Sequence, residues 1–246
     1  MNSQPPSAAV WAQLSREAQD ALKHDVLLSA IIQSRVLRAG TLGGAVGRVL
    51  AESLAHRYLP EDTLESLYAD FRDASGGKLD DIIAHDLATV LEHDPAARGY
   101  LMPVLFFKGF HALQAYRLTH HLWHERREHM ACFLQSRVSA LLGVDIHPAA
   151  KIGRGVMMDH ATGIVIGETA VVEDGVLFWH GVTLGGRGPK AVDRHPKVRK
   201  GAVLGAQSTI LGNIEIGAGA KIGACSVVLH NVPAGATVTG AFAKEK

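Results

Sequence analysis

The stretch LGNIEIGAGAKIGACSVVLHNVP, residues 211–233, places a large aliphatic side chain at every sixth position, at Ile216, Ile222 and Val228. An interval of six fits neither the 3.6-residue turn of an α-helix nor the two-residue alternation of a β-strand. It is typical of a hexapeptide β-helix, in which short strands form the sides of a triangular prism. Glycine follows Ile216 and Ile222, as the tight corners of such a prism require.

The same interval extends back through the chain to Ile146. It is reset by two residues after Ile164 and is interrupted between Leu184 and Val198. Because these side chains fill the interior of the prism, a ligand has to bind on the outside or between neighbouring copies. The predicted inward-facing residues are Ile146, Ile152, Met158, Ile164, Ile166, Val172, Phe178, Leu184, Val198, Leu204, Ile210, Ile216, Ile222 and Val228.

The N-terminal part of the chain has a different pattern, with apolar residues at helical spacing and few glycines. DVLLSAIIQSRVL, residues 25–37, is one such stretch and predicts a helix. The whole chain is therefore predicted to be an α+β protein. We expect an α-helical domain over residues 1–141, followed by a left-handed parallel β-helix over residues 142–246 with a projecting loop at 185–197.

Composition limits the classes of function. The 246-residue chain has a formal net charge of +1 and no run of basic residues, which argues against a nucleic-acid-binding surface. Its two cysteines, Cys132 and Cys225, form neither a CxxC pair nor a disulfide framework. We find no secretory signal pattern and no uncharged apolar run of about 18 residues. We therefore expect a cytoplasmic protein that binds neither nucleic acid nor membranes.

The interruption of the repeat is GGRGPKAVDRHPK, residues 185–197. Fourteen positions separate Leu184 from Val198 where a regular repeat uses six, so eight residues are extra and should project as a loop (14 − 6 = 8). Arg194 and His195 are its functional candidates, since arginine binds a carboxylate through two parallel hydrogen bonds. The glycines do not match a phosphate-binding P-loop motif. Packing between subunits is the alternative interpretation of the loop.

Polar residues cluster at the start of the β-helix. Asp145 and His160 are 15 residues apart, close to one coil, and are expected on neighbouring levels. A carboxylate beside an imidazole favours the protonated ring that forms in general-base catalysis, here on a weak nucleophile such as an alcohol. Asp159, next to His160, belongs to the same cluster. Each of these residues alone is also compatible with a solvent-exposed side chain that has no chemical role.

Ala206 and Ala224 are 18 residues apart, so they are predicted to lie in one column on adjacent coils. A column of small residues lets a long, thin ligand lie against the backbone. Corners of a β-helix favour small residues anyway, and spacing alone does not separate the two interpretations. We expect Gly185 and Gly186 to lie beside this column.

Four segments together resemble the serine O-acetyltransferase family of the hexapeptide acyltransferases. They are DPAARGYLMPVLFFKGFHALQAYRLTHHLW (94–123), VDIHPAAKIGRGVMMDHATGIVIGETA (144–170), VTLGG with DRHPK (182–186 and 193–197), and the stretch 211–233. Hexapeptide repeats alone indicate only the broad superfamily. KGFHALQAYR and DRHPK are far more specific.

The resemblance implies direct transfer of acetyl from acetyl-CoA to the hydroxyl of L-serine, which yields O-acetyl-L-serine and CoA. His160 matches the general base of the family and Asp145 matches the residue that orients it. The resemblance implies no metal and no covalent enzyme intermediate.

The resemblance also implies which residues bind the two substrates. Asp94 and Asp159 match the acids that bind serine, and Arg194 and His195 match the residues that hold its carboxylate. The CoA-binding positions are Gly186, Ala206 and Ala224, joined by Gly185 because its backbone N–H or that of Gly186 is a candidate donor to the oxyanion.

The resemblance also implies a homotrimer or a dimer of trimers, with active sites between neighbouring prisms, and inhibition by L-cysteine at the serine site. Members of the family often bind O-acetylserine sulfhydrylase through a tail that ends in isoleucine. This sequence ends in GAFAKEK, residues 240–246, with Phe242 where the family has proline and no terminal isoleucine. The sulfhydrylase is thus the one implied partner that the sequence does not support.

Three other hypotheses remain at this point. A hexapeptide acetyltransferase could act on a sugar instead. A zinc-dependent β-helix hydratase of the carbonic anhydrase kind needs three converging histidines, and the spacings of 20 (His160 to His180) and 15 (His180 to His195) lack its close pair. A non-catalytic scaffold is the third hypothesis. A separate candidate metal pair is formed by His120 and His124, which are four residues apart on a predicted helix but have no evident third ligand.

Overall fold

Eight α-helices form the N-terminal part of the chain in the computed structural model, which describes residues 5–189 and 192–240. The last helix ends at Leu142, and Gly143, with φ of +69°, turns the chain into the first strand. The helices are α1 (Ser7–His24), α2 (Ser29–Ile32), α3 (Leu42–Leu54), α4 (Glu61–Ala74), α5 (Lys78–His93), α6 (Leu101–Phe106), α7 (Lys108–His124) and α8 (Glu128–Leu142).

The stretch 25–37 is not the single regular helix that its pattern predicts. A 3₁₀ turn (Val26–Leu28) precedes α2, and a π-helical turn (Gln33–Leu37) follows it. The side chain of Asp25 accepts a hydrogen bond from the backbone N–H of Leu27 at 3.0 Å and so starts the 3₁₀ turn. Leu27 is 91% exposed as a result.

Fourteen short strands follow the helices and form a parallel β-solenoid of three sheets. The sheet orders are β1-β4-β7-β10-β13, β2-β5-β8-β11 and β3-β6-β9-β12-β14. This arrangement of helices followed by a hexapeptide solenoid confirms the predicted fold class. The strands are β1 (Val144–Ile146), β2 (Lys151–Ile152), β3 (Met157–Met158), β4 (Ile164–Ile166), β5 (Val171–Val172), β6 (Leu177–Phe178), β7 (Thr183–Gly185), β8 (Lys197–Val198), β9 (Val203–Leu204), β10 (Thr209–Leu211), β11 (Glu215–Ile216), β12 (Lys221–Ile222), β13 (Val227–Val228) and β14 (Thr237–Val238).

The interior of the solenoid is filled by the residues that the six-residue interval selects. All fourteen predicted inward-facing side chains are buried except that of Ile152, which is partly buried. Phe178 is the largest of them and is fully enclosed. This leaves the outer surface, and above all its corners, for chemistry.

Strand register shows where the coils are irregular. Met158 pairs with Phe178, 20 positions on, whereas Ile166 pairs with Leu184, 18 positions on. The first coil is therefore two residues longer, and the extra residues lie in the turn before Ile164, not after it as the sequence pattern suggested. Val172 pairs with Val198, 26 positions on, which confirms eight extra residues in the loop (26 − 18 = 8). Lys190 and Ala191 of this loop lie outside the described residues.

Two corners of the prism matter for function. We call the one between the third and first sheets the histidine corner; its turns are 159–163, 179–182, 205–208 and 223–226. We call the one between the first and second sheets the loop corner; its turns are 147–150, 167–170, the described parts of the loop (186–189 and 192–196) and 212–214.

A buried ion pair joins the helices to the solenoid. Asp86 of α5 is fully buried and accepts hydrogen bonds from Arg117 of α7, at 2.7 Å from Nη2 and 3.1 Å from Nε. The same carboxylate accepts from Gln114 Nε2 at 2.9 Å and from the backbone N–H of Val156 at 3.1 Å. Arg117 Nη2 also donates to the carbonyl oxygen of Gly153 at 2.9 Å. We call Asp86, Gln114 and Arg117 the buried joint.

In the part of the chain that the structure describes, none of the helices is both long enough and apolar enough to cross a membrane. Cys132 and Cys225 are free and exposed, so they do not form a disulfide. The cytoplasmic location remains a prediction.

We predict that Asp86→Asn destabilises the protein by about 3–5 kcal/mol, because it leaves the buried guanidinium of Arg117 without its counter-charge. Asp20→Asn is the control. Asp20 pairs with Lys23 at 3.2 Å on the surface, where both side chains are well exposed, and its loss should cost less than about 1 kcal/mol. Urea unfolding measures both changes, and equal losses would contradict the role of the joint.

Candidate active site

His160 lies in the strained turn that contains the two extra residues of the first coil. Its φ is +54° and that of the next residue, Ala161, is +56°. A left-handed conformation costs a residue with a side chain roughly 1–2 kcal/mol, and such strain is concentrated at functional sites. Ala161 is buried, whereas the side chain of His160 is 76% exposed. The turn therefore presents the imidazole to the outside of the prism.

Asp159 is the carboxylate that lies beside this imidazole. Its Oδ2 is 3.7 Å from Nε2 of His160. The backbone N–H of Asp159 donates to the carbonyl oxygen of Phe178 at 2.8 Å, which holds the residue against the next coil. An acid at this distance stabilises the imidazolium that forms when His160 takes up a proton.

Asp145 lies elsewhere on the prism. It is the middle residue of β1 and pairs with Val165, five positions beyond His160. Its Oδ1 accepts a hydrogen bond from Gln135 Nε2 of α8 at 2.7 Å. Within one chain, then, the acid in contact with His160 is Asp159, and the orienting role of Asp145 stays a prediction.

A cavity of about 610 Å³ opens between the helices and the histidine corner. Its lining includes Asp94, just after α5, together with Asp159 and His160. The carboxylate of Asp94 is held in place because it accepts from the backbone N–H of Ala96 at 2.8 Å. Three of the predicted site residues thus share one cavity, although Asp94 and Asp159 are far apart in sequence.

Lys108 lines the same cavity and was missed by the sequence analysis. It begins α7, and its Nζ donates a hydrogen bond to Oγ1 of Thr162, in the turn of His160. The next residue, Gly109, lets the helix approach, because a Cβ there would lie 1.9 Å from the carbonyl oxygen of Met158. The sequence feature that could have identified it is the lysine at the start of KGFHALQAYR.

His195 is almost fully buried in the loop corner. Its Nδ1 accepts from the backbone N–H of Thr169 at 3.2 Å and lies 2.9 Å from the hydroxyl of Thr169. Because Nδ1 is an acceptor, the proton of the neutral ring is on Nε2. Burial lowers the pKa of His195, and the neighbouring Arg194 guanidinium lowers it further.

Arg194 is held next to His195 by the same threonine. The backbone N–H of Arg194 and that of His195 each donate to Thr169 Oγ1 at 3.1 Å. Nη2 of Arg194 donates to Glu168 Oε2 at 2.6 Å, and this hydrogen bond lowers the pKa of Glu168. The loop therefore presents a fixed cation beside a neutral imidazole.

The structure divides the predicted residues between two corners. Asp94, Asp159 and His160 surround the histidine corner, whereas Arg194 and His195 occupy the loop corner. One sheet separates the corners, and its strand β4 has three residues, roughly 10 Å of extended chain. Arg194 and His195 do not line the cavity of His160 in the same chain.

The predicted CoA positions are divided in the same way. The backbone N–H of Cys225 donates to the carbonyl oxygen of Ala206 at 2.8 Å, so Ala206 and Ala224 do lie one above the other in the histidine corner. Gly185 is at the other end of β7 and pairs with Leu211. Gly185 and Gly186 are therefore beside Arg194 and His195 and not beside the alanine column, since β7 runs from one corner to the other.

The structure gives little support to the zinc hydratase hypothesis or to a metal site at His120 and His124. The rings of His120 and His124 are 4.5 Å apart between centroids, and Nδ1 of His120 lies 2.7 Å from the carbonyl oxygen of Pro148. Across residues 5–189 and 192–240, no three His, Cys, Asp or Glu side chains converge as a metal site requires.

We predict that Gly167→Ala expels His195 from its pocket, because the new Cβ would lie 2.0 Å from Nε2 of that ring. In the unaltered protein His195 should titrate below the usual histidine pKa of about 6.5. In the variant its pKa should rise toward that value as the ring meets water. Titration of the ring signals by NMR measures both values.

Gly240→Ala is the control, since its Cβ would have a nearest neighbour 3.3 Å away. It should leave the titration of His195 unchanged. An unchanged pKa in Gly167→Ala would contradict the burial of His195 against Gly167.

Two family models match the chain. The model described as "Serine acetyltransferase, N-terminal" matches residues 10–115, and "Bacterial transferase hexapeptide (six repeats)" matches residues 195–230. The serine acetyltransferase of Haemophilus influenzae is 46% identical over 208 residues, which are 85% of this chain and 78% of that protein. The Escherichia coli K12 serine acetyltransferase is 46% identical over 212 residues, 85% of this chain and 76% of its own length.

Solved structures agree with these matches. A serine acetyltransferase in complex with cysteine has a TM-score of 0.93 and 46% identity, and the match covers 95% of this chain and 97% of the other. A complex with CoA has a TM-score of 0.91 and 45% identity, with 96% and 98% covered. A Neisseria gonorrhoeae serine acetyltransferase in complex with serine has a TM-score of 0.91 and 42% identity, with 96% and 97% covered. With this degree of identity over most of its length, the chain belongs to the serine acetyltransferase family.

Proposed function

We propose that this protein transfers the acetyl group of acetyl-CoA directly to the hydroxyl of L-serine, with His160 as the general base. The observation that carries the proposal is the meeting of Asp94, Asp159 and His160 around one cavity. The complexes of related proteins with serine and with CoA support it.

In the proposed reaction, His160 takes the proton of the serine hydroxyl as its oxygen bonds to the thioester carbonyl carbon. The tetrahedral intermediate then collapses, and the carbon–sulfur bond breaks. His160 returns the proton to the departing thiolate, so O-acetyl-L-serine and CoA leave and the enzyme is unchanged. Asp159 stabilises the imidazolium between these steps, and Asp145 is the second acid proposed to orient the ring.

Recognition of serine requires both negatively and positively charged groups, because serine carries an ammonium and a carboxylate. The carboxylates of Asp94 and Asp159 suit the ammonium and hydroxyl of serine. Arg194 and His195 suit its carboxylate, because arginine binds a carboxylate with two N–H donors and His195 presents an Nε2–H. Lys108 is a further cation on the wall of the cavity and is available to the same carboxylate.

These groups lie at two corners of one prism, so we propose that each active site forms between two subunits. The histidine corner of one subunit would face the loop corner of its neighbour, as a trimer of prisms allows. In that arrangement the pantetheine arm of CoA lies along Ala206 and Ala224. The backbone N–H of Gly185 or Gly186 from the neighbour then points toward the oxyanion. A pair of such trimers remains an expectation from the family.

Inhibition by L-cysteine follows from the same groups. Cysteine carries the ammonium and carboxylate of serine and has a thiol in place of the hydroxyl, and a related structure contains it. We therefore propose that cysteine competes with serine for Asp94, Asp159, Arg194 and His195. The tail considered for sulfhydrylase binding, residues 241–246, lies outside the described residues.

We predict that His160→Ala lowers turnover by about 10²-fold or more, since the hydroxyl loses its general base. Release of free CoA thiol with L-serine as acceptor measures the rate, and a sugar alcohol serves as the competing acceptor. His230→Ala, at an exposed histidine of the solenoid, is the control and should retain normal turnover. Near-normal turnover of His160→Ala would remove His160 from this role, and release with the sugar alone would remove serine as the acceptor.

A further inference from the structure

The backbone around His160 forms two successive three-residue turns. The N–H of Ala161 donates to the carbonyl oxygen of Asp159 at 2.5 Å, and the N–H of Thr162 donates to that of His160 at 2.7 Å. The central residues of the two turns, His160 and Ala161, both have positive φ. Turns of this kind are rare and strained, and they persist only where the surrounding structure holds them. The conformation that presents the imidazole therefore depends on contacts from outside the turn.

The solenoid holds the turn through its backbone. The N–H of Gly181 donates to the carbonyl oxygen of Thr162 at 2.8 Å, and the N–H of Gly163 donates to that of Gly143 at 2.7 Å. Both hydrogen bonds use the backbone of residues 162–163. They leave the hydroxyl of Thr162 for a contact with another element.

The start of α7 supplies that contact, because Nζ of Lys108 donates a hydrogen bond to Oγ1 of Thr162. A Cβ on Gly109 would lie 1.9 Å from the carbonyl oxygen of Met158, so the helix comes this close only because residue 109 has no side chain. Among the residues that the structure describes, Lys108 is the one side chain outside the turn that hydrogen-bonds to residues 160–163. Thr162 is thus held by the solenoid at its carbonyl and by α7 at its hydroxyl.

The side chain of His160 has little of its own to fix it. It is 76% exposed, and Oδ2 of Asp159 is 3.7 Å from its Nε2, beyond hydrogen-bonding distance. The position of the imidazole therefore follows the backbone of the turn. A general base has to come within roughly 3 Å of the proton that it removes, and a misplacement of about 1 Å can lower a rate by about 10²-fold.

We propose that Lys108 is a positioning residue, which holds the strained turn through Thr162 and so directs His160 into the cavity. Lys108 transfers no proton in this role. The role differs from a contact with the carboxylate of serine, because it requires the hydroxyl of Thr162 and the contact with serine does not. The inference rests on the proposed function of His160 as the general base.

The first part of the test removes the acceptor in the full-length oligomer. Thr162→Val keeps the branched shape of the side chain and removes its hydroxyl. We expect kcat to fall by about tenfold while the KM for serine changes less than about twofold, since the base is displaced and the serine-binding groups remain. Thr162→Ser keeps a hydroxyl and should stay within about threefold of the unaltered kcat. Thr237→Val, at an exposed threonine of β14, is the control and should retain normal kcat.

The second part removes the donor. Lys108→Met should lower kcat as Thr162→Val does, and the double variant should be no slower than the slower single variant, because both substitutions break the same contact. Lys78→Met is the matched control, since Lys78 is an exposed lysine that begins α5 as Lys108 begins α7. It should leave kcat unchanged.

Three kinetic outcomes would overturn the inference. The first is a higher KM for serine at near-normal kcat in Lys108→Met with no effect of Thr162→Val, which would show that the lysine binds serine. The second is a Thr162→Ser variant as slow as Thr162→Val. The third is a double variant in which the two losses multiply.

The NMR ring signal of His160 in the protein without substrate tests the contact independently of activity. The signal is assigned by its absence from the spectrum of His160→Ala. Thr162→Val, which retains the charge of Lys108, should shift it, whereas Thr162→Ser and Thr237→Val should not. An unchanged signal in Thr162→Val would overturn the inference. If the unaltered enzyme shows no serine-dependent thiol release, the proposed function has failed, and the ring signal alone decides whether Lys108 holds the turn.

Discussion

The ion pair between Asp86 and Arg117 is the contact on which the arrangement of the site depends. It ties α5 and α7 to the backbone of the solenoid at Gly153 and Val156. The end of α5 leads to Asp94, and the start of α7 carries Lys108. The joint helps to place both residues near the turn of His160, because it fixes two helices against the first coil. We infer that this charge pair specifies the docking of the helices through its geometry, even where its net contribution to stability is modest.

Because its own side chains fill the interior of the solenoid, the candidate functional residues lie at its corners. The two extra residues of the first coil create the strained turn that exposes His160, and the eight extra residues of the loop bring Arg194 and His195 to another corner. Both features interrupt the six-residue interval, and both carry residues to which the proposed acetyl transfer assigns a role. Because they lie at different corners of one prism, we propose that a second copy of the chain completes the site.

The sequence predicted the solenoid, its interior residues and the eight-residue insertion, since each follows from counting along a regular repeat. It did not predict that the two extra residues fall before Ile164, because Ile164 and Ile166 are both buried and the pattern fits either placement. The contact of His160 with Asp159, the position of Gly185 at the loop corner and the role of Lys108 depend on turn geometry and on helix docking. The six-residue periodicity carries no information about those contacts. The resemblance to the family supplied Asp94, which spacing alone could not connect to His160.

The most direct test of the two-subunit site mixes two variants that are each impaired at one corner. His160→Ala and Arg194→Ala are co-expressed with different tags, and the mixed oligomers are isolated through both tags. Thiol release is then measured at a serine concentration below KM. Because some interfaces of a mixed oligomer pair an intact histidine corner with an intact loop corner, we predict activity well above the sum of the two parent variants. Activity no greater than that sum would show that both corners serve a site within one chain and would contradict this account.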